Sequence, residues 1–132
     1  MSDRRTADEA YGDHGERDLH ALIRQRYGDD CKRTGKWDTF DFMSPTHQIE
    51  VKNRRILYLQ YPTVMIGYNK LRQAERTKDT MVTYFIWKFL NGTYEWKYDP
   101  KDYSVSEGGR CDRGSDERKD CGFIDMRLLK KI

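Results

Sequence analysis

Apolar residues are scarce in this chain. Hydrophobic residues make up 36% of its 132 positions and charged residues another 36%, with a mean hydropathy of −1.01. No stretch approaches the roughly 20 consecutive apolar residues of a membrane-spanning helix, so a membrane partner is not expected. The opening residues Met1 to Arg5 carry no apolar signal core, which points to the cytoplasm. Cysteine is rare too: Cys31, Cys111 and Cys121 are an odd set, and without a secretion signal they are expected to be reduced thiols. No His stands near Cys111 and Cys121, so a zinc site there would lack two ligands. Excess charge is small, +3 from 25 basic and 22 acidic residues, which permits a basic face without requiring one.

Aromatics, by contrast, are plentiful: 9 Tyr, 5 Phe and 3 Trp. They argue against disorder, because each removes a large area from water at a single position. A chain of this length makes one domain, expected over residues 1–132 with a polar lead-in at 1–12. Leu19, Leu22, Ile23 and Tyr27 form an apolar stripe that predicts a helix over 14–27, closed by Gly28. Two short strands follow, 36–43 and 48–58, joined by a turn at 44–47. A second helix is predicted over 69–78. A strand over 81–90 then turns at Asn91-Gly92 into a strand over 93–99, with Phe89 facing Tyr94, Trp87 facing Trp96 and Lys88 facing Glu95. Residues 101–121 lack apolar periodicity and read as a flexible flap, after which 123–129 returns to the core.

The candidate chemistry lies in the first hairpin. Acidic-x-Lys occurs five times here, so the pattern alone carries little weight. Glu50-Val51-Lys52 differs in its context. Ile49 and Val51 alternate with Glu50 and Lys52, which puts the two charged residues on one face of a core-anchored strand. A 44–47 turn pairs Met43 with Gln48, Phe42 with Ile49, and Asp41 with Glu50. Opposed Cβ atoms sit roughly 5 Å apart, so the two carboxylates would repel. A divalent cation would relieve that repulsion, since Mg²⁺ takes carboxylate oxygens at about 2.1 Å. Glu16 extends the stripe of the first helix and is a candidate third acid. Its alternative role is in a capping box with Asp13. The plainer reading of the hairpin is a pair of surface acids balanced by Lys52.

At these residues the chain resembles the PD-(D/E)xK nuclease superfamily. The resemblance rests on Glu16, Asp41 within Phe40-Asp41-Phe42, Glu50-Val51-Lys52, and the order helix, strand, strand, helix, strand. A wider stretch is similar to small nuclease-like proteins of phages and large viruses: Ile49 to Arg54, Tyr61-Pro62-Thr63, Asn69-Lys70, the aromatic segment 84–98, and Arg110-Cys111-Asp112-Arg113-Gly114. The departure is Phe40, where the family name places Pro. The resemblance implies an α/β (α+β) fold, a restriction-endonuclease-like core with a central mixed sheet flanked by helices. It implies hydrolysis of phosphodiester bonds in DNA, of branched or structured form, with RNA as the alternative substrate and a non-catalytic nucleic-acid binder as the other outcome. Glu16, Asp41, Glu50 and the Val51 carbonyl would hold one or two Mg²⁺ or Mn²⁺ ions, and Lys52 would orient water or stabilise charge on the phosphate.

Nucleic-acid contacts would fall to Arg54, Lys70, Gln73, Arg110 and Arg113, with Arg55, Arg72 and Arg76 as weaker candidates. His20, one turn past Glu16, is a candidate ligand, although a surface histidine is the commoner case. Tyr84, Trp87, Trp96 and Tyr98 fit a core better than a stacking surface for bases. A homodimer would let two copies cut two strands, and a viral origin would put the protein in the host cytoplasm.

Overall fold

The computed structural model describes residues 18–35, 38–109 and 119–132. Its first element is helix α1, described over 18–27, whose Leu19 and Ile23 are buried. Gly28 ends it at φ +120°, a conformation costly to any residue with a Cβ, and its N–H donates to the Arg24 carbonyl at 3.0 Å.

Three antiparallel strands follow: β1 (Lys32–Arg33), β2 (Phe42–Met43) and β3 (His47–Asn53). The register Phe42↔Ile49 and Met43↔Gln48 is the one the turn length dictates. Ser44 closes that turn. Its N–H donates to the His47 carbonyl at 2.8 Å, and its Oγ accepts from the N–H groups of Thr46 and His47. Of the predicted strand over 36–43, residues 36 and 37 lie outside the described residues, and the remainder is strand only at β2. Ahead of it, Asp38 Oδ2 accepts from the Gly35 N–H at 2.7 Å, and the Asp41 carbonyl accepts from the Thr34 N–H at 2.9 Å. These bonds bend the chain away from β3. Lys52 therefore has no strand partner at Thr39.

Strand β3 stops at Asn53, short of the expected 58, and a looped stretch leads to β4 (Thr63–Gly67). Helix α2 (Tyr68–Thr77) lies within one residue of its predicted span. Strand β5 (Val82–Phe89) then returns parallel to β3, with Glu50↔Phe85 and Lys52↔Trp87 in register. Strand β6 (Gly92–Lys97) pairs antiparallel with β5, but the register is Phe89↔Gly92, Trp87↔Tyr94 and Phe85↔Trp96. The connecting pair is thus Leu90-Asn91 rather than Asn91-Gly92, a shift of two residues. It keeps every aromatic on its intended face and removes the Lys88–Glu95 pair. The turn is anchored from outside: Leu90 N–H donates to the Ile56 carbonyl and Asn91 Oδ1 accepts from the Tyr58 N–H. Glu95 instead meets Arg26 at 2.6 Å and the Tyr27 hydroxyl.

The segment expected to be a flap is partly sheet. Strands β7 (Tyr103–Gly109) and β8 (Lys119–Asp125) pair with each other, and β8 pairs with β4, making a second sheet in the order β4-β8-β7. A 3₁₀ turn (Met126–Leu128) leads into β9 (Lys130–Lys131) on β6. The central sheet runs β1-β2-β3-β5-β6-β9, mixed because only β3 and β5 are parallel. The fold is α+β with helices against this sheet. Cys121 is disulfide-bonded and Cys31 is free, so the expectation of uniformly reduced thiols does not hold. No helix among the described residues is long and apolar enough to cross a membrane.

The central sheet carries two cores. Leu19 and Ile23 of α1 lie with Phe42, Ile49 and Ile86 on one face. Leu71 of α2 and Ile66 and Ile124 of the second sheet lie with Phe40, Phe85, Trp87 and Trp96 on the other. The tryptophans at 87 and 96 are therefore core, as the sequence favours. On β8, Gly122 lets α2 approach closely: a Cβ there would stand 2.2 Å from Leu71 Cδ1, and Leu71 is fully buried. Gly122→Ala is expected to cost about 1–3 kcal/mol through overpacking, read as a lowered urea midpoint with an unchanged slope.

Candidate active site

Alternation along β3 sends Ile49 into the α1 core and Glu50 to the α2 face. Glu50 is only 4% exposed. Asp41, the residue before β2, hydrogen-bonds its side chain to that of Glu50. Its Oδ2 also accepts from the Val51 N–H at 2.8 Å. Asp41 thus occupies the edge of β3 that β2 leaves open beyond the Phe42↔Ile49 pair. In an extended strand a residue's N–H and C=O lie on the same edge, so the Val51 carbonyl faces that gap as well.

Two ammonium groups converge on the acids. Lys52 Nζ is 3.7 Å and Lys70 Nζ 3.2 Å from Glu50 Oε2. Lys70 comes from the first turn of α2, also donates to the Thr39 carbonyl, and lies 5.7 Å from the Phe40 ring centroid. The far end of α2 is tied to the same strand. Buried Gln48 donates to Thr77 Oγ1 at 2.6 Å and to Thr83 Oγ1 at 2.8 Å. With Lys70 on Glu50 and Thr77 on Gln48, α2 is fastened to β3 at both ends. Sequence reading assigned Lys70 only to nucleic acid and did not single out Gln48. The available signal was alternation, which puts Gln48 on the Glu50 face.

Burial pushes the Glu50 carboxyl up, the hydrogen bond and negative charge of Asp41 push it further, and the two lysines only partly oppose this, so it titrates at about 7. Glu50 therefore keeps a proton into the neutral range, and a divalent cation could take that proton's place. The donor set suits a hard cation: two carboxylates and a backbone carbonyl, all oxygen. Among the described residues no group of three or more His, Cys, Asp or Glu converges.

The other sequence candidates fall as follows. Glu16, Arg110 and Arg113 lie outside the described residues. Gln73, half-buried one turn after Lys70, gives its backbone carbonyl to Thr77 Oγ1. Arg54 donates to the Asn53 carbonyl at 3.3 Å. Arg55, Arg72 and Arg76 are exposed, with the Arg72 guanidinium 6.0 Å from the Tyr68 ring centroid. His20 sits 5.3 Å from the Phe42 ring, on the face opposite Glu50, so it does not join the acids.

A raised carboxyl pKa has a defined sign in stability. Between pH 4.5 and about 7 the folded chain holds a proton at Glu50 that the unfolded chain has released, so stability falls as pH rises through this window. The loss amounts to about 3 kcal/mol above pH 7. Glu50→Gln is expected to flatten that slope in urea titrations at pH 5 and pH 8, and a saturating divalent cation to restore stability at pH 8 in the unsubstituted chain only. Comparison of the chain with family models, curated proteins and solved structures finds no match, so its family is argued from these residues alone.

Proposed function

We propose that the protein is a metal-dependent endonuclease that hydrolyses phosphodiester bonds in DNA. The observation that carries this reading is the buried Glu50 carboxyl opposed by Asp41 and flanked by the ammonium groups of Lys52 and Lys70. A buried acid beside a half-buried one serves no packing purpose, and a chain selected for stability alone would do better with an apolar residue at position 50. Beside two cationic side chains they suit a substrate that is itself an anion.

The topology supports the same reading. The succession α1, β2, β3, α2, β5 is in keeping with the order helix, strand, strand, helix, strand on which the resemblance to the PD-(D/E)xK superfamily rests, with β5 parallel to β3. Strand β4 and the second sheet are additions to that order.

In this reading Asp41, Glu50 and the Val51 carbonyl hold Mg²⁺ or Mn²⁺, with Glu16 as a further ligand. The ion would contribute positive charge at the scissile phosphate and a more acidic water. The chain's own groups do the rest. Glu50 gives up its proton on loading. Lys52, two residues on along the same strand face, meets the phosphate or the attacking water. Lys70 is released from Glu50 to a phosphate oxygen and holds the strand in place. Arg54 and Gln73, with Arg110 and Arg113, complete the contacts to the backbone.

DNA cleavage is expected with Mg²⁺ or Mn²⁺ and not with EDTA. Glu50→Ala should abolish it, and Lys52→Ala should lower the rate at saturating metal by about 10²-fold or more. Metal-independent cutting, or full activity in Glu50→Ala, overturns the reading. Labelled RNA run beside the DNA separates the substrate classes, and tight metal-independent binding without cleavage would mark a binding protein.

A further inference from the structure

Helix α2 carries cations on two flanks. Lys70 and Thr77 turn toward β3, where they meet Glu50 and Gln48. Arg72 stands two residues after Lys70, roughly 200° round the helix, and Arg76 follows about one turn later. Both are exposed, and they line a groove of about 320 Å³ together with Tyr68, Glu75, Tyr98 and Tyr103. That volume is at the lower end for pockets that take small organic ligands, about 300–1,000 Å³. The groove lies on the flank of α2 away from Glu50.

Its walls are held firmly. The three tyrosines are half-buried and pack against the core on the α2 face of the sheet. Tyr98 N–H donates to the Thr83 carbonyl at 2.9 Å. The Tyr98 hydroxyl donates to Glu75 Oε2 at 2.5 Å and accepts from the Tyr103 hydroxyl at 3.1 Å. The turn between β6 and β7 is closed by the Asp102 N–H on the Asp99 carbonyl, at 3.1 Å, and by Trp96 Nε1 donating to Asp102 Oδ2 at 2.8 Å. The arginines, in contrast, are uncommitted. The Arg72 guanidinium lies 6.0 Å from the Tyr68 ring centroid, a contact that uses none of its N–H donors. Arg76 has no hydrogen-bond or ion-pair partner among the described residues. Glu75 is the one acid of α2, and Lys78 Nζ already balances it at 2.6 Å.

This chemistry selects the occupant. A guanidinium takes phosphate oxygens through parallel N–H bonds, and a tyrosine ring takes a base by stacking. A simple anion would leave the tyrosines unused, and an apolar ligand would leave the arginines unused. A nucleotide answers both. The surface of α2 between its two flanks shows Asn69 and Gln73 and no acid. A polyanion can therefore pass from Lys70 to Arg72 and Arg76, across a helix roughly 10 Å wide, without meeting an unbalanced negative charge. We infer that the groove holds one nucleotide of the bound strand away from the point of cleavage, with its phosphate on Arg72 and Arg76 and its base against the tyrosines. The inference rests on the nuclease reading above.

The test uses the full chain in EDTA or with Ca²⁺, and single-stranded DNA carrying 5-iodouracil, which crosslinks to a stacked aromatic ring on illumination. Peptide mapping is expected to place the crosslink at Tyr68, Tyr98 or Tyr103. Arg72→Gln with Arg76→Gln should weaken binding about tenfold and lower the salt slope by about 1.4, from two phosphates at about 0.7 each. Tyr68→Leu should also weaken binding about tenfold, leave the salt slope in place and reduce the crosslink. The arginines are exposed, so their double variant keeps its urea midpoint and decides the matter even where the tyrosine variant is destabilised. Unchanged affinity and slope in the arginine variant, or crosslinks confined to other residues, overturn the groove and leave the nuclease reading standing. So does thymidine monophosphate that binds as tightly as the strand, since the groove would then serve a free nucleotide. Failure to bind any DNA or RNA overturns the nuclease reading with it.

Discussion

A carboxyl group removed from water beside a second carboxylate is the constraint around which this molecule is arranged. Glu50 cannot be fully ionised there without compensation, and the fold supplies it from two directions against the opposing carboxylate of Asp41. Lys52 and Lys70 bring positive charge from the same strand and from the crossover helix. Each element that packs on the α2 face of β3 serves this arrangement. The bend before β2 frees the edge that Asp41 fills. Gln48 clamps the end of α2 that Lys70 does not reach.

This local electrostatic problem explains why polar residues sit where the sheet is otherwise aromatic. Phe85 and Trp87, opposite Glu50 and Lys52 in the ladder, seal that face from water. Their burial strengthens the mutual influence of the charges.

Much of this was legible beforehand, for a physical reason. Side-chain direction alternates strictly in a strand, so Ile49 and Val51 fixed the face of Glu50, and a four-residue turn left one register for Asp41. Long-range anchoring was not legible. The Asn91-Gly92 turn lost to Leu90-Asn91 because Ile56 and Tyr58 hold that end of the hairpin, contacts more than thirty residues apart in sequence. The second sheet was missed because β7 has weak apolar alternation and β4 follows a proline that reads as a break. Lys70 is legible as a contact residue at the start of the second helix, but its ion pair with Glu50 is not, because only the crossover brings it over Phe40.

The parallel pairing of β3 with β5 also bears on assembly. A hairpin of β2 and β3 is local and can close early, but it brings two negative charges together with nothing to offset the second. Lys70 arrives only when the intervening β4 and α2 have been laid down and β5 has docked beside β3. The centre is therefore completed by contacts that local closure of the hairpin cannot supply. A half-assembled molecule holds two opposed acids with a single cation beside them, so the balanced charge arrangement belongs to the finished fold alone.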